Sequence, residues 1–256
     1  MKQRNAVTIL GVSIDLDTLN SLGPAIWAAI ERCREPIVFA CANPHSLVVA
    51  QSDPEFLNAL NRAWPVVADG VGLTLMAKFI GIKLGPRITG TDFFFTVLRS
   101  LNRRGRGRVF FFGSTPEVLA LISERFKREF PSLTLCGCLS PPIYPWPDEV
   151  NDQLIWQINE TKPDVVWVGM TAPKQEKWVE ANRHRLSAQI IGSIGAVFNF
   201  FAGTHPRAPV WIRACGLEWL YRFALEPRRM WRRNVISTPR FVAMILGRHF
   251  ARPIDG

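Results

Sequence analysis

At "PVVADGVGL" (65–73) a short apolar run ends on a carboxylate, Asp69, with Gly70 directly behind it. An aspartate ahead of a glycine forms turns, because its side chain bonds its own backbone. At the mouth of a sheet the same carboxylate is a general base within reach of a hydroxyl proton. Residue type alone leaves both readings open. Other stretches also set polar groups directly after apolar runs. In "ANPHSL" (42–47), Asn43 either caps a helix that Pro44 opens or offers its amide to a sugar hydroxyl or a phosphate. In "GPRITGTDFF" (85–94), Arg87 stands in a loop ahead of a helix start at Thr91 or Asp92. It is either a solvated arginine or a planar donor fork for a diphosphate. In "APKQEKW" (172–178), Pro173 suits a first helical turn. Lys174 and Gln175 then sit where backbone N–H groups favour an anion, or simply start a charged helix. Gly113, ahead of Ser114, is a further candidate at the end of an apolar run.

These positions make one site only if the chain places strand ends side by side. The sequence predicts strands at 7–12, 36–41, 65–68, 108–113, 133–138, 164–169 and 189–195. Helical patterns lie between them, near 18–34, 45–62, 71–80, 91–104, 116–129, 148–161, 174–186 and 196–202. Strand–helix alternation predicts an α/β fold, a Rossmann-like and largely parallel sheet with flanking helices. "RVFFFG" and "DVVWVG" are apolar on both faces, as central parallel strands must be. Ligands of such sheets sit at the carboxyl ends of strands. The candidates therefore converge on one cleft.

Several chemistries are unsupported. No G-x-G-x-x-G follows a strand, no G-x-x-x-x-G-K-[ST] occurs, and H-E-x-x-H is absent. An oxidoreductase on a dinucleotide-binding sheet is therefore disfavoured. Asp15-Leu16-Asp17 has the D-x-D form of metal-dependent sugar transferases, but three letters recur by chance. The five cysteines (33, 41, 136, 138, 215) lack zinc spacing and are expected as free thiols of a reducing compartment. No apolar run approaches the ~20 residues of a membrane span; "FVAMIL" (241–246) is far shorter. The N-terminus reads as no signal peptide, which puts the protein in the cytoplasm.

The net charge of +10 is unevenly placed. Between Arg207 and Arg252 stand ten arginines, no lysine and two glutamates, a balance of +8. "GTHPRAP" (203–209) marks the composition break. The expected organisation is an α/β catalytic body over 1–203 and a basic helical appendage over 204–256. Such a segment points to an anionic partner: nucleic acid, phospholipid headgroups or a diphosphate.

Taken in order, "ANPHSLVVA", "VVADGVGLTLMAKFIG", "RITGTDFF", "VFFFGSTPE", "PDVVWVGMTAPKQEKWV", "IGSIGAVFNFFAGTHPRAP" and "GLEWLYRFALEPRRMWRR" resemble the WecG/TagA/CpsF glycosyltransferases, family 26, over roughly residues 36–233. The resemblance implies an inverting transferase that needs no metal and no cofactor. It would move a hexose (N-acetylmannosamine, its uronic acid or glucose) from a UDP-sugar to a saccharide on a polyprenyl diphosphate, in bacterial surface or exopolysaccharide biosynthesis. It makes Asp69 the general base. It assigns Asn43, Arg87 and Gln175 to the sugar and the diphosphate. Many relatives carry threonine where this chain has Cys41, so donor preference here is open. With no metal, arginine must meet the charge on the leaving diphosphate. One or more of Arg213, Arg222 and Arg228 in the tail is expected to complete that site by contacting the donor diphosphate.

Arginine interleaved with Trp211, Trp219, Tyr221, Phe223, Trp231 and Phe241 suits an anionic membrane surface. The expected place is peripheral, on the cytoplasmic face of the inner membrane. The same mixture would suit RNA, so a basic nucleic-acid-binding α/β protein is the alternative. The transferase reading expects no nucleic acid and leaves a homo-oligomer open.

Overall fold

A sheet whose strands are apolar on both faces must be covered on both. The computed structural model describes residues 4–32, 35–209, 211–212 and 215–250. Its strands are β1 (Ala6–Ile9), β2 (Val12–Asp15), β3 (Ile37–Ala42), β4 (Val66–Ala68), β5 (Arg108–Gly113), β6 (Thr134–Leu139), β7 (Val165–Gly169) and β8 (Ile190–Ser193). The last six form one parallel sheet in the order β4-β3-β8-β7-β5-β6, the Rossmann-like α/β architecture expected from the alternation.

Period-two alternation sorts each strand between two cores. Phe110, Phe112, Val166 and Val168 face one side, and Val109, Phe111, Val165 and Trp167 the other. Helices α1 (Leu19–Arg32), α5 (Gly90–Arg103), α6 (Pro116–Glu129) and α9 (Val197–Ala202) cover the second core. There Phe39 stacks on Phe93 at 3.8 Å, and Trp167 is wholly buried. Gly192 is obligatory beside it, because a Cβ there would lie 2.3 Å from the Trp167 ring. The first core is covered by α2 (Pro44–Ala50), α3 (Pro54–Arg62), α4 (Val71–Phe79), α7 (Asp148–Glu160) and α8 (Lys174–Asn182).

Two expectations change. The run 7–12 is a hairpin, not one strand of the sheet. Leu10 and Gly11 take φ of 48° and 80°, which turns β1 back onto β2. The helix expected over 45–62 is two. Asp53 accepts from the Phe56 N–H and Pro54 opens α3, so the chain restarts a helix at 54. Asp15 of the D-x-D is buried and structural. It pairs with Arg4 at 2.8 Å and accepts from the Val66 N–H at 2.6 Å, tying the hairpin to the sheet edge.

After Gly203 the chain forms α10 (Glu218–Leu225), α11 (Pro227–Trp231), a π-helical segment (Arg232–Ser237) and α12 (Thr238–Phe250). Phe241 and Ile245 of α12 are buried in the first core, and Arg248 donates to Gln51 at 2.9 Å. Among the described residues no helix is long and apolar enough to cross a membrane. Cys41, Cys136, Cys138 and Cys215 are free thiols, while Cys33 lies outside the described residues.

Candidate active site

Parallel strands end where their following loops can carry side chains outward. The ends of β3, β4, β7 and β8 and residues between Arg207 and Arg240 of the C-terminal segment line a cavity of about 790 Å³. Asp69 stands on its wall, one residue past β4, with its N–H bonded to the Ala42 carbonyl of β3 at 2.8 Å. That bond continues the sheet ladder and fixes where the carboxylate starts. Burial pushes the Asp69 carboxyl pKa upward, while Arg87, Arg233 and Arg222 pull it back.

Arg87 reaches in from the loop ahead of α5. Its Nε lies 3.7 Å from Asp69 Oδ1, and its Nη2 donates to Glu218 Oε2 at 2.7 Å. An ion-pair chain thus runs from the sheet edge through Arg87 to the first turn of α10. Thr89 caps α5 in a reciprocal box with Asp92, and Thr91 is buried in the first turn against the cavity.

Asn43 caps α2. Its Oδ1 accepts from the Ser46 N–H at 3.1 Å, and the Ser46 hydroxyl lies 2.7 Å from the Asn43 N–H. The same residue lines the cavity, so its capping role sets the amide's position there. Gln175 follows β7 in the first turn of α8. Its Nε2 donates to Glu176 Oε1 at 2.8 Å, leaving Gln175 Oε1, Glu176 Oε2 and Ser193 Oγ buried without a partner. Burial pushes the Glu176 carboxyl up to about 7. Gly195, with φ of 47°, passes this amide so closely that a Cβ would lie 3.3 Å from Gln175 Oε1. Burial, with Asp69 and Glu176 nearby, holds the Cys41 thiol well above the ordinary range, so it lines the cavity as a neutral group.

Other candidates sit elsewhere. Gly113, with φ of 115°, is a close approach of β5 to β7, since a Cβ would lie 2.8 Å from the Gly169 backbone. Lys174 lines a smaller neighbouring cavity of about 300 Å³ and donates to the Tyr144 carbonyl at 3.2 Å. Arg222 lines the main cavity with its guanidinium over the Phe200 ring at 5.3 Å. Arg228 is exposed and does not line it, and Arg213 lies outside the described residues.

The cavity also holds residues that motif reading passes over. Arg207, Arg232, Arg233 and Arg240 line it, as do His45 and Glu218. Arg207 lies 4.0 Å from Asp92. His45 Nδ1 lies 2.8 Å from Ser237 Oγ, and burial together with Arg233 and Arg232 depresses its pKa to about 4.

The chain belongs to the glycosyl transferase WecG/TagA/CpsF family, whose profile it matches over residues 7–254. It is 34% identical to a Bacillus spizizenii protein over 205 residues, 80% of this chain and 77% of that one. It is 28% identical to one from Bacillus subtilis (82% and 78%) and 26% identical to one from Staphylococcus aureus (88% and 87%). All three relatives are N-acetylglucosaminyldiphosphoundecaprenol N-acetyl-β-D-mannosaminyltransferases.

Proposed function

We propose that this chain is an inverting hexosyltransferase that moves an N-acetylmannosamine-type sugar from a UDP-sugar to a saccharide carried on a polyprenyl diphosphate. The observation that carries the reading is Asp69 in one enclosed cavity with Arg87 and Arg222. The cavity falls within the ~300–1,000 Å³ of small-molecule sites. Convergence of arginines on such a cavity favours a compact anionic ligand over a nucleic-acid strand.

Asp69 takes the proton of the acceptor hydroxyl as that oxygen attacks the anomeric carbon. The new C–O bond forms on the face opposite the bond to UDP, which breaks, so the configuration inverts. The electron pair leaves on the β-phosphate oxygen. Arg87 and Arg222 meet this charge, a metal-independent arrangement in which fixed guanidinium groups stabilise the leaving diphosphate. The pairing of Arg87 with Glu218 holds its fork near Asp69 before substrate arrives. Asn43 and Gln175 supply amides for sugar hydroxyls, and Thr91 a hydroxyl.

Trp211, Trp219, Trp231, Leu220 and Leu225 are exposed on the C-terminal segment, among its arginines. That combination supports peripheral binding to an anionic bilayer, on the cytoplasmic face where the lipid-linked acceptor is reached.

The test is sugar transfer from a panel of UDP-sugars to lipid-linked acceptors, in detergent and in liposomes, with Asp69→Asn beside the wild type. One donor is expected to be used. Asp69→Asn should lose about 10²–10⁴-fold in kcat and keep UDP binding. Absence of UDP binding and of transfer from every donor would refute the reading.

A further inference from the structure

Glu176 is a buried acid that the transfer steps above do not use. It stands in the first turn of α8, where a carboxylate is ordinarily solvated and faces the helix N-terminus. Here the residue is 6% exposed and lines the main cavity. Burial raises its pKa, the Gln175 amide and a backbone N–H lower it, and no cation acts on it. Among the described residues no lysine, arginine or histidine pairs with it. Oε1 accepts from Gln175 Nε2 at 2.8 Å, and Oε2 is buried without a partner. A bond between neighbours in the chain ties no two parts of the fold together. What it fixes is the direction of one amide.

An amide can present either end. Glu176 Oε1 accepts from an N–H whether the carboxyl is ionised or neutral. With the amide reversed, the bond would need a proton on that oxygen, and N–H donors would replace the carbonyl oxygen at the other end. The carboxyl therefore holds Nε2 to itself and turns Gln175 Oε1 away. That oxygen is buried and unpartnered. It lies beside Gly195, where a Cβ would be 3.3 Å from it, and both residues line the cavity. Ser193, at the end of β8, brings a further buried and unpartnered oxygen to the cavity lining.

An unmet buried acceptor is costly, and a ligand O–H or N–H removes that cost. A diphosphate carries acceptors only. A sugar carries hydroxyl donors, and an acetamido group adds an N–H. These oxygens therefore suit the sugar of the donor, not its diphosphate.

We propose that Glu176 is a positioning residue for the transfer, which holds the Gln175 amide with its carbonyl oxygen toward the cavity. Gln175 then meets the donor sugar as the acceptor of one hydroxyl or N–H. The sugar contact rests on the transferase reading; the direction of the amide does not.

The experiment compares the full chain with Glu176→Met, which keeps the volume and removes the acceptor, and with Glu176→Gln, whose carbonyl oxygen can replace Oε1. Calorimetry measures UDP and UDP-N-acetylmannosamine. Heteronuclear NMR follows the Gln175 side-chain amide, identified by its loss in Gln175→Ala. In the wild type the amide proton facing Glu176 should exchange slowly with water. Glu176→Met should abolish that protection and Glu176→Gln should keep it. Glu176→Met should weaken UDP-N-acetylmannosamine about tenfold, leave UDP unchanged, and raise the donor KM more than it lowers kcat. Glu176→Gln should recover most of that affinity. In a Gln175→Ala background Glu176→Met should add no further loss. Equal weakening of UDP and of the UDP-sugar would reduce Glu176 to a structural role, and so would losses that add fully in the double variant. Failure of Glu176→Gln to recover affinity, or an unchanged amide in Glu176→Met, would overturn the inference. Glu176→Ala repeats each comparison if the methionine variant does not fold. If the amide behaves as expected but the wild type binds no UDP-sugar, the positioning of Gln175 stands and the transferase reading falls. If transfer proceeds and the amide does not respond to Glu176, the reading stands and the inference fails.

Discussion

The α/β body and the C-terminal segment meet in one cavity, yet each holds its side chains differently. Asn43, Asp69 and Gln175 stand one, one and six residues past a strand end, fixed by a cap, a ladder hydrogen bond and a first helical turn. Arg222, Arg232, Arg233 and Arg240 stand on helices with exposed faces, and α10 buries no residue. Groups on the rigid frame can orient a sugar and a proton transfer closely. Groups on the less buried segment supply charge, which acts over longer distances and tolerates looser placement.

The largest break in that comparison is at its anchor. Phe241 is 1% exposed and joins the C-terminal segment to the first core. Phe241→Ala should cost about 3–5 kcal/mol in urea unfolding. An unchanged midpoint would mean that the segment folds apart from the body.

A smaller effect separates the regions by pH. Glu176 belongs to the body, and its folded pKa of about 7 lies above the ordinary 4.5. The folded state therefore binds the extra proton, and this contribution to stability falls as pH rises from about 4.5 to about 7. His45 contacts the C-terminal segment, and its folded pKa of about 4 lies below 6.5. Its contribution rises with pH across that lower window. The two slopes oppose each other. Glu176→Gln should stabilise the protein at pH 8 by on the order of 2 kcal/mol and unmask a stability that rises between pH 4 and 6.5. His45→Asn should unmask the falling slope. Thermal unfolding across pH measures both, and identical profiles for all three proteins would remove these groups from the account.

The smallest expected effect lies in the link between regions. A double-mutant cycle of Arg87→Gln and Glu218→Gln on kcat/KM should give a coupling of about 1–2 kcal/mol. Strict additivity would mean that α10 reaches the site without Arg87.

Much of this was legible before any fold was known. The runs at 108–113 and 164–169 read as central strands because their side chains are apolar on both faces, and both are central. Asn43-Pro44 read as a possible helix start, and the pair opens α2. The hairpin at 6–15 was not legible, because leucine is an unusual residue for the positive φ it adopts. The break between α2 and α3 was carried by Asp53-Pro54, a cap and first-turn signal hidden inside a longer helical pattern. Glu176 went unread for another reason. Its raised pKa comes from burial, and no spacing encodes burial for a charged residue beside an amide.

What the sequence by itself determined is local: strand alternation with period two, caps acting over three residues, and the concentration of arginine after residue 206. What only the tertiary structure decided is pairing at long range. Arg87 meets Glu218 across 131 residues and His45 meets Ser237 across 192. These contacts carry no local pattern. Helix and strand geometry is set by neighbours along the chain, whereas a pair so far apart is chosen by whichever packing of two hydrophobic cores repays the entropy of closing the loop. That packing gathered on one cavity six arginines, three of them from a stretch of the chain that has no acidic residue of its own.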